Sequence, residues 1–509
     1  MAKQPSIADR LGADSFPHPV THLRRLETAI SWIVLTGAYA YKIKKPLRLP
    51  FIDSSTLERR EFLCREELRL NRRFTTDLYL DVLPISDHDG QLRVGPADRP
   101  IEYAVQMREF DAADELAAQL GRGRVEANEL AQFGRHLSHW HQSAPAAQAA
   151  DSYGTPELIR AQAQENFDTL LARVHGADAA TIARLERWTD AELLAHLQEV
   201  ELRASAGRVR ECHGDLHAGN IVRWQGAWAP FDCIEFDPRL RWIDVISDMA
   251  FLFMDLLAHG RDDLAYGFVS AYLEQCGDYA GLRLLPFYSV YRALVRAKVA
   301  ALSLEAPVPA ADLLASSPQA RLQRRLAAAE RLAYGGSPAL LLMHGVTASG
   351  KSHLSSLLIG AAGAIRVRSD VERRRLFGAG AYSTEATDAT YERLRICAQH
   401  ALESGYRVIV DATFLEPARR GPLQQLAQQY GCPLLIISCH APRSVLEQRI
   451  AERARNGSDA SEATAAVLAH QLRLQSGFDE RERPYLIEVD TSSAEATRQG
   501  VAIIQTRLS

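Results

Sequence analysis

At 509 residues, 47% apolar and 24% charged, the chain is too long for one ordinary core and too apolar to be disordered or collagen-like. A formal net charge of −4 excludes a global basic field that would draw in nucleic acid, and leaves a local basic groove open. Seven cysteines without a C-x-x-C pair indicate neither a disulfide framework nor a zinc ribbon.

The opening MAKQPSIADR lacks an apolar signal core. The most apolar stretch, residues 249–258, is short for a span and carries Asp255. The expectation is a soluble, cytoplasmic protein without a membrane segment. Only six of the 59 basic residues are lysines, and Lys42, Lys44, Lys45 and Lys351 are among them. A chain that uses Arg nearly everywhere keeps Lys where a compact ammonium is needed, which directs attention to those positions.

In chain order, residues 30–35 and 39–43 read as strands around a turn at Gly37, and Lys42 and Lys44 fall on one face. A helix is predicted over 57–74, a strand pair around 87–90 and a strand over 103–108. Residues 111–206 are patterned as helix, with a start at Pro156. A loop-and-strand block over 212–237 interrupts this pattern, which then resumes to about 304. Pro307, Pro309 and Pro318, followed by YGGSP at 334–338, mark a linker over 305–337. Beyond it, apolar runs at 339–343, 365–367, 407–410, 434–438 and 486–489 alternate with helices, the pattern of a parallel sheet.

The first chemical signal is His213-Gly214-Asp215-Leu216-His217-Ala218-Gly219-Asn220 with Asp232 downstream. It offers one carboxylate base and two oxygen ligands, the set that phosphoryl transfer from Mg·ATP requires. A zinc site on His213 and His217 is the rival, but the glycines suit a loop rather than a helix face. Residues 1–304 resemble the aminoglycoside phosphotransferase branch of the protein-kinase-like fold. That resemblance implies Asp215 as base, Asn220 and Asp232 as metal ligands, and Asp248 as a structural acid. It also implies Lys42 on the ATP phosphates, with Lys44 as the alternative, paired to Glu67 or Glu66. Glu67 is preferred because it shares a face with Leu63, Leu70 and Phe74. One departure stands: the expected phosphate loop at residues 28–31 has no glycine. Arg292 and Arg296 lie one turn apart; a structural role is preferred over an acceptor contact.

The second signal is Gly345-Val346-Thr347-Ala348-Ser349-Gly350-Lys351-Ser352, a G-x-x-x-x-G-K-[ST] loop between a strand and a helix. Glycines let the backbone wrap a phosphate, Lys351 bridges the outer phosphates and Ser352 ligates Mg²⁺. Asp370 and Asp411 follow strands at the edge where open α/β sheets place ligands, and Asp411 joins Ser352 as a candidate metal ligand. Arg449 and Arg453 share a helix face, with Arg455 beyond. Residues 338–509 resemble small P-loop kinases of the gluconate kinase, zeta-toxin and polynucleotide kinase type. The resemblance implies Asp370 as acceptor base, Arg373 as a substrate contact, and Arg449 and Arg453 as a lid.

The expected architecture is a bilobal α+β protein-kinase-like domain followed by an α/β P-loop domain with a parallel sheet. The expected activity is ATP- and Mg²⁺-dependent phosphoryl transfer to a small hydroxyl-bearing acceptor. Two alternatives stay open: only the P-loop domain catalyses and the first domain recognises a substrate or partner, or the acceptor is a polynucleotide 5′ end. The negative net charge weighs against the last. The sequence specifies neither acceptor nor oligomeric state.

Overall fold

The computed structural model describes residues 5–49, 52–148, 151–304, 317–381, 383–456 and 464–508. They pack as two compact units, each gathered from separate stretches: Met1–Val125, Ser143–Thr155 and Leu202–Asp248 in the first, Glu126–Gln142, Pro156–Glu201 and Met249–Ser509 in the second. No helix among the described residues is long and apolar enough to cross a membrane.

The first unit is built on a six-stranded antiparallel sheet. Its spatial order is Arg24–Glu27, Ser31–Leu35, Tyr39–Lys44, Glu102–Arg108, Tyr79–His88 and Gln91–Val94. The turn into the third of these passes Gly37 at φ +96°, where a Cβ would lie 1.9 Å from the Thr21 hydroxyl, so only glycine fits. The helix Leu57–Asn71 packs against this sheet and is capped by the Thr56 hydroxyl. It stops three residues short of the predicted end because Asn71 turns back. The Asn71 amide nitrogen donates to the Glu67 carbonyl, and its side-chain oxygen accepts the Cys233 N–H at 3.0 Å. A short pair, Val209–Glu211 with Trp242–Asp244, and the hairpin Ile221–Trp224/Ala227–Pro230 frame the H-G-D loop.

The second unit is organised by the expected parallel sheet. Its five strands run in the order Ala364–Arg368, Arg407–Asp411, Ala339–His344, Leu434–His440 and Leu486–Asp490. The central strand is buried along its whole length, as a parallel strand covered on both faces must be. Each of its leucines stabilises the fold by about 1.5–3 kcal/mol through burial. The helices Lys351–Ala362 and Ala494–Leu508 share one core with this sheet. This unit also takes in helices from the first 304 residues. The Asp262–Cys276 helix packs on both the Ala364–Arg368 strand and the Lys351–Ala362 helix. The backbones come so close that a Cβ at Gly360 would sit 3.0 Å from that of Asp263.

The stretch patterned as helix over 111–206, with a start at Pro156, holds the helices Leu116–Gly121, Ala127–Ser143, Pro156–Leu171, Ala177–Ala195 and Leu197–Ser205. Pro307 and Pro309 of the expected linker lie outside the described residues, and from Pro318 to Tyr334 the chain is helical. Arg292 is buried with its guanidinium over the Phe251 ring at 4.8 Å, a structural placement.

Candidate functional site

In the first unit the pleat of Tyr39–Lys44 carries Lys42 and Lys44 to the same side, and both are buried. Glu67, with no exposed surface, lies between them: Lys42 Nζ donates to one carboxylate oxygen at 2.8 Å and Lys44 to the other. Lys42 also pairs with Asp232, and Lys44 with Glu235. Glu66 faces elsewhere and binds Arg69 and Arg241. Burial works to strip the proton from both ammonium groups, but Asp232 and Glu67 outweigh it at Lys42, and Glu235 and Glu67 at Lys44. Both pKa values are raised. Burial disfavours the Asp232 carboxylate, yet Lys42 and Lys44 hold it below the usual range; Asp215 lies near enough to push the other way. Asp232 adopts φ 62°, rare for a side-chain-bearing residue, and its N–H donates to the Tyr79 hydroxyl at 3.0 Å. A strained backbone that aims a carboxylate is common at functional sites.

The H-G-D loop is held from behind. Asp248 accepts the N–H groups of His213 at 3.2 Å and Gly214 at 2.8 Å. Gly214 has φ +89°, and a Cβ there would meet the Leu240 carbonyl at 2.7 Å. His213 Nε2 bonds the Phe231 carbonyl at 2.9 Å and Nδ1 accepts from Asp215 N–H at 3.3 Å. Burial lowers its pKa and keeps the ring neutral. With both ring nitrogens so used, and His217 Nδ1 accepting the Gly219 N–H at 3.0 Å, the histidines serve the loop as supports. Asn220 donates through Nδ2 to the Asp215 carbonyl at 3.0 Å and to its carboxylate at 3.1 Å. That fixes the carboxylate and leaves the Asn220 amide oxygen as the atom suited to a metal. The glycine-free turn is closed on itself: Thr28 Oγ1 accepts from Ser31 N–H at 3.0 Å and donates to the Ser31 carbonyl at 3.2 Å.

In the second unit Gly345, Ala348 and Gly350 take positive φ values of 137°, 62° and 86° and curl the loop over the start of the Lys351–Ala362 helix. Lys351 Nζ donates to the Val346 carbonyl at 2.7 Å. A cavity of about 530 Å³ opens from this loop. Thr347, Ala348, Gly350, Lys351 and Ser352 are among its lining residues, as are Asp370, Arg373 and Asp411. Gly345 and Ser349 are not among its walls. Burial raises the Asp370 pKa and the Asp411 charge adds to that, against Arg368, Lys351 and Arg373, which pull it down. The hydroxyl bonded to Asp411 is that of Ser355, at 2.9 Å. Arg373 donates to the Ala381 carbonyl at 3.1 Å and to Thr387 Oγ1 at 3.2 Å.

Of the two arginines expected in a lid, the one whose side chain is described is placed differently. Arg449 does not line the cavity; it donates to the Ala348 carbonyl at 3.1 Å and to the Thr491 carbonyl at 2.5 Å, bracing the phosphate loop from behind. Arg453 lies on the same helix, Arg443–Asn456, and its side chain is outside the described residues. Arg455 turns back to the Ala451 carbonyl.

Several site residues carry no local sequence signal. Gln471, on the helix Ala465–Leu474, accepts the Thr347 N–H at 2.6 Å, and Tyr391 bonds Thr413 at 3.1 Å in the cavity wall. Glu235 had a weak signal, as a second acid three residues after Asp232 in PFDCIEFDP.

Set beside known proteins, the uncharacterized protein Rv2004c of Mycobacterium tuberculosis is 32% identical over 475 residues, covering 89% of this chain and 91% of that one. The chain belongs to the Rv2004c family. The uncharacterized protein Mb2027c of Mycobacterium bovis matches at the same identity and coverage. The family model described as an AAA domain matches residues 340–476, the phosphate loop and its cavity wall. Two solved structures are similar to parts of this Rv2004c-family chain. A gluconokinase from Sinorhizobium meliloti 1021 is 20% identical with a TM-score of 0.27, covering 34% of this chain and 95% of its own. A choline/ethanolamine kinase family protein from Mesorhizobium loti is 13% identical with a TM-score of 0.38, covering 62% and 88%.

Proposed function

We propose that the chain is an ATP-dependent phosphotransferase with a nucleotide site in each unit, acting on small hydroxyl-bearing molecules. The observation that carries this reading is that Lys351 and Ser352 line the same cavity as Asp370 and Arg373. A phosphate-gripping loop and a half-buried carboxylate in one space of about 530 Å³ are what in-line transfer to a hydroxyl requires.

The donor sets fit Mg·ATP in both units. Ser352 with Asp411, and Asn220 with Asp232, are hard oxygen donors of the kind Mg²⁺ takes, and Lys351 and Lys42 are the cations for phosphates. When bound, Mg·ATP supplies the transferable phosphoryl group. Asp370 receives the proton of the acceptor hydroxyl in the second unit, and its raised pKa makes it a better base than an exposed carboxylate. Asp215 does the same in the first unit, its carboxylate fixed by Asn220. Arg373, tied to Thr387, orients the acceptor.

A second reading, in which the first unit binds without catalysing, is favoured by one feature: the Thr28 hydroxyl of the glycine-free turn is spent on the Ser31 backbone. Mass-spectrometric screening of hydroxyl metabolites, aminoglycosides and RNA 5′ ends with ATP tests the proposal. Transfer to a small-molecule hydroxyl, abolished by Lys351→Ala or Asp215→Asn, supports it. Transfer to RNA 5′ ends alone would overturn it in favour of a polynucleotide kinase.

A further inference from the structure

The helix Ser369–Phe377 presents two faces with different duties. Asp370 and Arg373, three residues apart, line the cavity. Glu372 and Arg375, also three apart, lie on the opposite side of the same helix, and there the structure is built around one buried carboxylate. Glu372 has no exposed surface and accepts from Arg375 Nε at 3.1 Å and from Arg393 Nε at 2.9 Å.

Both guanidinium groups then reach past Glu372 to the carboxyl end of the Asp262–Cys276 helix. Arg375 donates to the Glu274 carbonyl at 2.5 Å and the Gln275 carbonyl at 3.2 Å, and Arg393 to the Gly277 carbonyl at 2.7 Å. These are carbonyls a helix leaves without internal partners, at the end where its dipole is negative, so two cations there satisfy both needs. The fit leaves no slack: Gly277, at φ +71°, would place a Cβ 2.6 Å from Arg375 Nε. The Glu274 side chain makes a parallel tie. It accepts from Arg366 Nε at 2.8 Å; Arg366 donates to Ser356 Oγ at 2.7 Å and lies 3.4 Å from Ser355 Oγ, which bonds Asp411.

We propose that Arg375 and Arg393 are positioning residues for the phosphate-loop site, fixing Asp370 and Arg373 against a helix that comes from the first 304 residues of the chain. This rests on the reading of Asp370 as the acceptor-side base. It means that the acceptor half of the site is completed by sequence far upstream of the matched family region, and that residues 338–509 alone would hold a phosphate loop with a misplaced acceptor helix.

The test is amide hydrogen exchange on the full chain, with Mg·AMP-PNP binding measured in parallel. Arg375→Ala should raise exchange over residues 369–377 by about 10-fold or more, while exchange over 345–356 and the AMP-PNP Kd stay within about two-fold of wild type. Gly277→Ala, which disturbs the contact from the other side, should loosen the same residues, and Arg375→Lys, which keeps one donor, should restore part of the protection. Unchanged exchange over 369–377 in both Arg375→Ala and Gly277→Ala overturns the proposal. So does equal loosening of both segments with loss of nucleotide, which would mark a general stability role. Absence of nucleotide binding in the wild type would instead defeat the functional reading, and the exchange pattern would still decide the positioning.

Discussion

Lys44 is the most informative position in the first unit, because it neutralises a buried excess of negative charge. Two lysines, Lys42 and Lys44, face three carboxylates, Glu67, Asp232 and Glu235, in a chain of direct ion pairs. Lys44→Met keeps the stem volume and removes the charge, leaving one ammonium among three acids with both Lys44 partners buried. Breaking a buried pair costs about 3–5 kcal/mol; at about 2–4 °C per kcal/mol for a unit of this size, its melting transition should fall by about 6–20 °C. Glu67→Gln removes the excess charge instead and leaves the pairs Lys42–Asp232 and Lys44–Glu235 intact. It should cost only about 1–2 kcal/mol, the scale of weakened hydrogen bonds.

The pH dependence has a definite sign. Burial raises the Glu235 pKa, Lys44 pulls it down and Glu67 pushes it up, so loss of Lys44 raises it further. A carboxyl with a folded pKa above its unfolded value costs stability above the folded pKa, and costs less as pH falls through it. The Lys44→Met deficit should therefore shrink as the pH falls through the raised Glu235 pKa into the acid range. Scanning calorimetry of the full chain across that range measures both effects. A Glu67→Gln loss larger than that of Lys44→Met, or a Lys44→Met deficit that grows on acidification, would refute the charge accounting.

Asp370→Asn should leave AMP-PNP affinity within a few-fold and cut phosphoryl transfer by about 10²-fold, as read by single-turnover assay. Transfer at that site should rise with pH through a midpoint above the ordinary carboxylate range. Arg373→Met, which removes one of the groups lowering the Asp370 pKa, should move that midpoint upward. Gly350→Ala forces a Cβ to within 2.7 Å of Thr491 Oγ1 at φ +86° and should abolish nucleotide binding at the phosphate loop, measured by calorimetry. Activity should require Mg²⁺ or Mn²⁺ and survive zinc-selective chelation; restoration by zinc alone would contradict the oxygen-donor assignment.

The parallel sheet was legible because its strands are short apolar runs bounded by turn residues, and the phosphate loop because its glycines and lysine sit at fixed spacing. The H-G-D loop was legible for the same reason. What sequence could not give was direction and partnership across distance. Lys44 and Glu235 are separated by 191 positions, and no periodicity pairs them. Arg449 was placed on the right helix, but helical spacing does not say that its guanidinium turns to the Ala348 carbonyl rather than the cavity. Glu67 was preferred over Glu66 from the apolar face it shares, and that is the side turned to Lys42.

Calorimetric titration of the full chain with Mg·AMP-PNP tests the central claim most directly, since Lys42/Asp215/Asn220/Asp232 and Lys351/Ser352/Asp370 share no member. Two sites give a stoichiometry of about two, falling to about one in Lys351→Ala and, separately, in Asp232→Ala. A wild-type value of about one, abolished by Lys351→Ala and untouched by Asp232→Ala, would contradict it.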